Sequence, residues 1–174
     1  MLAGLAAMRS EVTRSDYAAF ASGTGRPAAR CRNRLAPITL KKRTWDEPGF
    51  TQGGNHPVVC VSHDDATAYA QWLSRRSGKE YRLPTRAEWL SLVAGNGSGD
   101  ACRDGRIDCG SAGTVASSLG PNSALGLAGT RGNVREWLVD CDRGCQRRLA
   151  AGVGWRDTPG RADPKGTNDF DADT

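Results

Sequence analysis

Apolar residues return with helical spacing at three places along this chain. The clearest is the series Ala66, Tyr69, Ala70 and Leu73, whose i, i+3, i+4, i+7 order puts one apolar face on a helix. Ser62 stands where an N-cap would be, Asp64 and Asp65 put negative charge at the positive helix end, Arg75 and Arg76 suit the last turn, and Gly78 supplies a left-handed stop. A shorter helix is predicted after Thr13, with Asp16 completing a capping box, Val12 and Tyr17 in the hydrophobic-staple positions, and an end by Gly23. A third helix opens at Thr85, capped reciprocally by Glu88, buries Trp89, Leu92 and Val93, and ends at Gly95. The continuous run Val58-Val59-Cys60-Val61 predicts a buried strand, and 134–139 and 148–153 predict short strands late in the chain. Between Gly95 and Ala124 the sequence is rich in glycine and serine and has no period, which predicts a long loop. Helices first and short strands later, without internal repeats, give an α+β class rather than an alternating parallel sheet.

Composition narrows the picture. The 174 residues suffice for one domain with a real core. A mean hydropathy of −0.54 is that of a soluble chain, and no apolar run approaches the roughly 20 residues of a spanning helix. Residues 1–8 are apolar and small but too short for a signal h-region and cleavage site. The net charge of +5 is mildly basic. Arg30, Arg32, Arg34, Lys41 and Lys42 meet no acid, but aromatic residues do not interleave with them, so a solvated basic loop is expected and nucleic-acid binding is not. Six cysteines are present, and their spacing suggests pairing Cys102 with Cys109, Cys141 with Cys145, and Cys31 with Cys60. Zinc is the rival reading, because Cys60 and His63 stand three apart; neither cysteine pair has the C-x-x-C spacing of a knuckle, and the chain has only two histidines. Disulfides imply an oxidising compartment, so an extracytoplasmic location is expected.

Two segments carry a resemblance. Tyr81-Arg82-Leu83-Pro84-Thr85-Arg86-Ala87-Glu88-Trp89 and Gly132-Asn133-Val134-Arg135-Glu136-Trp137 each place a tryptophan directly after a glutamate. They resemble the R-L-P-T-E-A-E-W and G-N-V-W-E-W patterns of the formylglycine-generating enzyme family, the sulfatase-modifying factors. Glu11-Val12-Thr13, the segment from His56 to Ala66 (with His63 in place of a tryptophan), and Pro121-Asn122-Ser123-Ala124-Leu125-Gly126-Leu127 agree in order and spacing. The resemblance covers nearly all of 1–174 as a single domain. It implies a C-type-lectin-like fold with two main helices, short twisted antiparallel sheets and long loops. It also implies a sequence truncated at both ends, since family members start with earlier strands and close on an I-G-F-R-type strand. Arg82, Pro84, Glu88, Trp89, Asn133, Glu136, Trp137 and Trp155 are its motif core, with Trp137 filling the core and Glu136 pairing with an arginine such as Arg82.

The family's oxidase chemistry uses two copper-binding cysteines after an R-G-G-S-W segment, because soft thiolates select Cu(I). The matching stretch is Ala151-Gly152-Val153-Gly154-Trp155, and aligned on Trp155 the cysteine positions hold Asp157 and Ala162. Gly154 replaces the pocket serine, Arg135 replaces a tryptophan, and no cysteine follows Cys145. No catalytic residue and no copper are therefore expected. Iron-dependent relatives take histidines from a separate domain; His56 and His63 alone cannot make such a site. Family members can also bind calcium before G-N-V-W-E-W. Here that loop offers Gly129, Thr130, Gly132 and Val134, a weak set of carbonyls without the side-chain ligand, and a tight turn with left-handed Gly132 and Asn133 is the competing reading. The acidic residues Asp169, Asp171 and Asp173 lack the glycine and distal glutamate of a calcium loop and read as solvated.

The expected function is thus a binding or accessory module of this family, without a required cofactor. Its ligand face would be built from Arg156, Asp157 and Asp163 and the loops around them. Its partner would be a protein, a small ligand or another domain of a longer parent, with no membrane insertion and a monomeric state. The alternative is an enzyme whose metal ligands come from that other domain.

Overall fold

The N-terminal half of the molecule is organised by helix caps. In the computed structural model, which describes residues 5–31, 43–93, 113–119, 123–130 and 132–157 and the backbone of 167–171, α1 spans Arg14–Thr24, α2 His63–Ser77 and α3 Arg86–Val93. Thr13 and Asp16 form a reciprocal capping box on α1, and Ser62 and Asp65 form one on α2. Thr85 and Glu88 exchange the same two bonds ahead of α3, at 2.8 and 3.2 Å. Each box satisfies amides that the first helical turn cannot pair internally. Gly25 and Gly78 end α1 and α2 in left-handed conformation. The first helix thus runs slightly past the expected stop at Gly23.

Aromatic packing joins α1 to α2. Tyr17 and Phe20 of α1 meet Tyr69 of α2 in a buried cluster that Val12, Trp45, Trp72 and Leu73 surround. Phe20 lies edge-on to both Tyr69 and Trp72, at 5.6 Å between ring centroids, the arrangement that ring quadrupoles favour. Val12 packs against this cluster, consistent with its place in the staple.

The C-terminal half is a meander. Strands β1 (Glu136–Asp142), β2 (Arg147–Ala151) and β3 (Thr167–Asp171) form one antiparallel sheet in that order. A second core lies between this sheet and α3, made of Trp89, Val93, Leu138 and Ala151. The Cys141–Cys145 disulfide closes the β1–β2 turn, and Cys31–Cys60 ties the segment after α1 to the approach of α2. Cys102 and Cys109 lie outside the described residues. No described helix is long and apolar enough to cross a membrane.

Three expectations shift. The run 58–61 forms no strand: only the Thr13–Pro57 bridge and the Val58 N–H donating to Val12 O at 2.9 Å pair this region. Cys60 has φ +58, which breaks an extended ladder. The strand expected over 134–139 begins two residues later, because Asn133 is left-handed (φ +67). The strand expected over 148–153 ends at Ala151, where Gly152 takes φ +86. Part of the predicted long loop is well packed, with Thr114, Ala116 and Ser117 all buried.

Replacing Phe20 with alanine should empty the interhelical cluster and lower unfolding free energy by about 3–5 kcal/mol. Urea denaturation followed by far-UV circular dichroism measures this.

Candidate functional site

Asn133 gathers the loops at one end of the sheet. Its side chain is 1% exposed. The amide oxygen accepts the Val115 N–H at 2.9 Å, and the amide nitrogen donates to Val115 O at 3.1 Å and to Glu11 Oε2 at 2.9 Å. The Asn133 carbonyl accepts the Trp155 N–H at 2.9 Å. One residue thereby fixes the segment before α1, the loop at 115 and the segment after β2.

Glu11 is the residue that the sequence pattern understates, where it appears only as the first residue of the Glu11-Val12-Thr13 segment. Its carboxylate is largely buried and occupies the space beside Gly129. A Cβ on Gly129 would stand 2.7 Å from Glu11 Cδ, so a side-chain ligand at 129 and this placement of Glu11 exclude each other. Glu11 Oε1 is buried without a hydrogen bond. Burial, then the nearby Glu136 charge, raise the Glu11 pKa to about 9 against the opposing effect of Asn133 and its neighbours.

Glu136 is half-buried as a residue, with its carboxylate desolvated. It does not pair with Arg82 as the sequence suggested. Its Oε2 accepts the Trp89 indole N–H at 2.9 Å, and desolvation pushes its pKa up to about 7. Arg82 instead forms a two-pronged pair with Glu88, 2.7 Å on each arm. The capping position of Glu88 turns it toward Arg82, and that guanidinium, then the Thr85 amide, hold its pKa down to about 2. Trp137, expected to fill the core, is half-buried and belongs to neither core cluster; it donates to Val61 O at 3.0 Å and meets the edge of His63, tying β1 to the start of α2. Pro84 receives the Val139 N–H at 2.9 Å.

The loop proposed for calcium is partly a turn. Gly132 N–H donates to Gly129 O at 3.4 Å and Val134 N–H to Gly132 O at 2.8 Å. The left-handed residues are Gly129 and Asn133, not Gly132 and Asn133. Thr130 is buried in the same loop. Yet the surroundings hold two carboxylates, Glu11 and Glu136, that the sequence reading did not place there. Carboxylate and carbonyl oxygens with one unpaired carboxylate atom fit a hard divalent cation by donor chemistry.

At the expected oxidase position the structure holds an ion pair. Arg135 Nη2 lies 2.6 Å from Asp157 Oδ1, and the Gly154 N–H donates to Asp157 Oδ2 at 2.6 Å. Next to it, Trp155 packs on Phe50 at 5.1 Å and the Arg156 guanidinium lies over the indole at 5.0 Å. Asp163 and Ala162 fall outside the described residues. Each histidine has one ring nitrogen engaged, His63 Nε2 with Leu138 O at 3.1 Å and His56 Nδ1 with Thr114 Oγ1 at 3.0 Å, and among the described residues no three histidine, cysteine or acidic side chains converge on a metal position. Cys60 is in a disulfide, which removes the Cys60–His63 zinc reading. A shallow groove of about 430 Å³ opens elsewhere, between α2 and residues 80–83, and none of its lining residues belongs to the expected ligand face.

The profile of the sulfatase-modifying factor enzyme 1-like domain matches residues 1–174. The chain belongs to that family. It is 37% identical over 131 residues to the formylglycine-generating enzyme of Streptomyces coelicolor, covering 59% of this chain and 40% of that protein. It is 33% identical over 116 residues to the serine/threonine-protein kinase pkn1 of Chlamydia pneumoniae, covering 62% of this chain and 17% of that protein. The chain thus spans less than half the length of either relative. Among solved structures it is similar to PvdO from Pseudomonas aeruginosa, with a TM-score of 0.77 at 23% identity over 94% of this chain and 73% of that one. It is also similar to Treponema denticola variable protein 1, with a TM-score of 0.69 at 17% identity over 94% and 78%. The α+β, C-type-lectin-like fold expected from the motifs is the fold observed.

Because both buried carboxyls have raised pKa values in the folded state, the stability they contribute is complete below their unfolded value near 4.5. It is lost as pH rises through about 7 and then about 9. In chelator, the melting temperature should therefore fall between pH 6 and 9, and Glu11→Gln should flatten the upper part of that fall. Thermal unfolding across that range checks it.

Proposed function

We propose that this chain is a family domain that binds a ligand or partner without catalysing cysteine oxidation. The observation that carries the reading is the Arg135–Asp157 ion pair. At the position where the family's oxidase has a metal-binding thiol, this chain has a carboxylate whose two oxygens are taken by a guanidinium and a backbone amide. A hard, already paired carboxylate does not replace a soft thiolate for Cu(I). The same loops, held by Asn133 and faced by Trp155 and Arg156, supply a rigid surface for recognition. Two disulfides among the described residues support an extracytoplasmic setting.

A cysteine-containing sulfatase peptide incubated with this chain and copper should yield no formylglycine by mass spectrometry. Turnover above a copper-only control would overturn the reading.

Calcium is part of the proposal as a structural ligand. Glu11 and Glu136, with the carbonyls of Gly129, Gly132 and Val134, are the groups that would hold it, and its charge would offset the two buried carboxylates. Millimolar calcium should then raise the melting temperature of the wild-type chain at pH 8 relative to chelator and leave Glu11→Gln unmoved. An unchanged wild type would mean that the loop is a turn alone.

A further inference from the structure

Among the described residues, the face beside Asp157 has two cations and no acid paired with either. Arg156 extends over the Trp155 indole, and Trp155 in turn packs on Phe50. Arg43 stands close by, on the strand-like bridge that pairs it with Cys31. Its guanidinium is lodged against Gly49. That glycine has φ +82, and a Cβ there would come within 2.7 Å of Arg43 Nε. Backbone shape rather than a carboxylate therefore sets the place of Arg43. Gly113 likewise lies against Phe50, where a Cβ would stand 2.8 Å from Cδ2 of the ring.

Neither guanidinium has a carboxylate within ion-pair distance among the described residues. Burial and the neighbouring charge of Arg43 lower the pKa of Arg156, so the two cations repel each other at this face. Asp157 adjoins Arg156 in sequence and is the nearest acid by chain position, but both its oxygens are engaged by Arg135 and Gly154. The charge of Arg156, which is exposed over Trp155, is thus left without a carboxylate partner among the described residues.

We propose that Arg156, over Trp155, and Arg43, against Gly49 beside Phe50, form a subsite for an oxyanion carried on a planar apolar group. Guanidinium forks match carboxylate, sulfate and phosphate oxygens, and the Phe50–Trp155 pair beside them gives the planar body an apolar contact. The inference rests on the reading of this surface as a ligand face, and it names the ligand chemistry of that face.

Titration calorimetry on the full chain in low salt tests it with four probes: phenyl phosphate, phenyl sulfate, benzoate and phenol. The anionic aromatics should bind and phenol should not, and inorganic phosphate should bind more weakly than phenyl phosphate. Arg43→Gln and Arg156→Gln should each weaken phenyl phosphate binding about tenfold or more, whereas Arg156→Lys should restore part of the loss. Unchanged melting temperatures of the three variants show that folding is intact. Raising the salt should weaken binding by screening. No binding of any anionic probe at 10 mM, on the order of the weakest useful affinity, would overturn the subsite, as would equal binding by both glutamine variants. Formylglycine turnover, measured separately, would instead sink the non-catalytic reading and leave the subsite to stand or fall on these titrations.

Discussion

The loop end of this molecule hangs on the buried amide of Asn133. It bonds Val115 in both directions, holds Glu11, and passes its carbonyl to Trp155. These segments have little regular structure to align them. A buried primary amide can donate twice and accept twice, and an unmet bond in this setting costs more than a met one contributes. Asn133 uses that capacity nearly in full. Its left-handed backbone is also what starts β1 late and turns Glu136 inward.

From this anchor follow the two unusual charge arrangements. Glu11 is pinned by Asn133 into a site where it has little water, and its neighbour Glu136 is there because β1 begins just beyond the same residue. Desolvation of both carboxyls and the charge of Glu136 near Glu11 favour protonation or a cation. On the outer side, Trp155 is positioned by the Asn133 carbonyl, and it carries Arg156 on its face and leads into the Asp157 turn. The ion pair between Arg135 and Asp157 fixes that turn with a charge-neutral unit.

The sequence made much of the scaffold legible. The capping boxes of α1 and α3, the Ser62 cap and apolar face of α2 and the Gly78 stop depend on residues within a few positions of each other, and all are present as read; that Asp65 completes a box with Ser62 is added by the structure. Two of the cysteine pairings also stand. The family could be recognised because its motifs combine a cap, a buried tryptophan and a tight turn at fixed spacing. The run 58–61 misleads for a clear reason: its apolar composition says buried, but the left-handed Cys60 and the disulfide to Cys31 keep it out of a sheet.

What the sequence alone determined is therefore local: where helices begin and how α2 ends, and that Trp89 fills a core. The tertiary structure decided which charges meet. Glu88 rather than Glu136 takes Arg82, because capping geometry turns it there. Glu11 moves beside Gly129, and Arg43 approaches Arg156, across separations of more than a hundred residues that no periodicity encodes. Pairing of charges is set by burial and by the accidents of loop approach, and these exist only once the chain has folded.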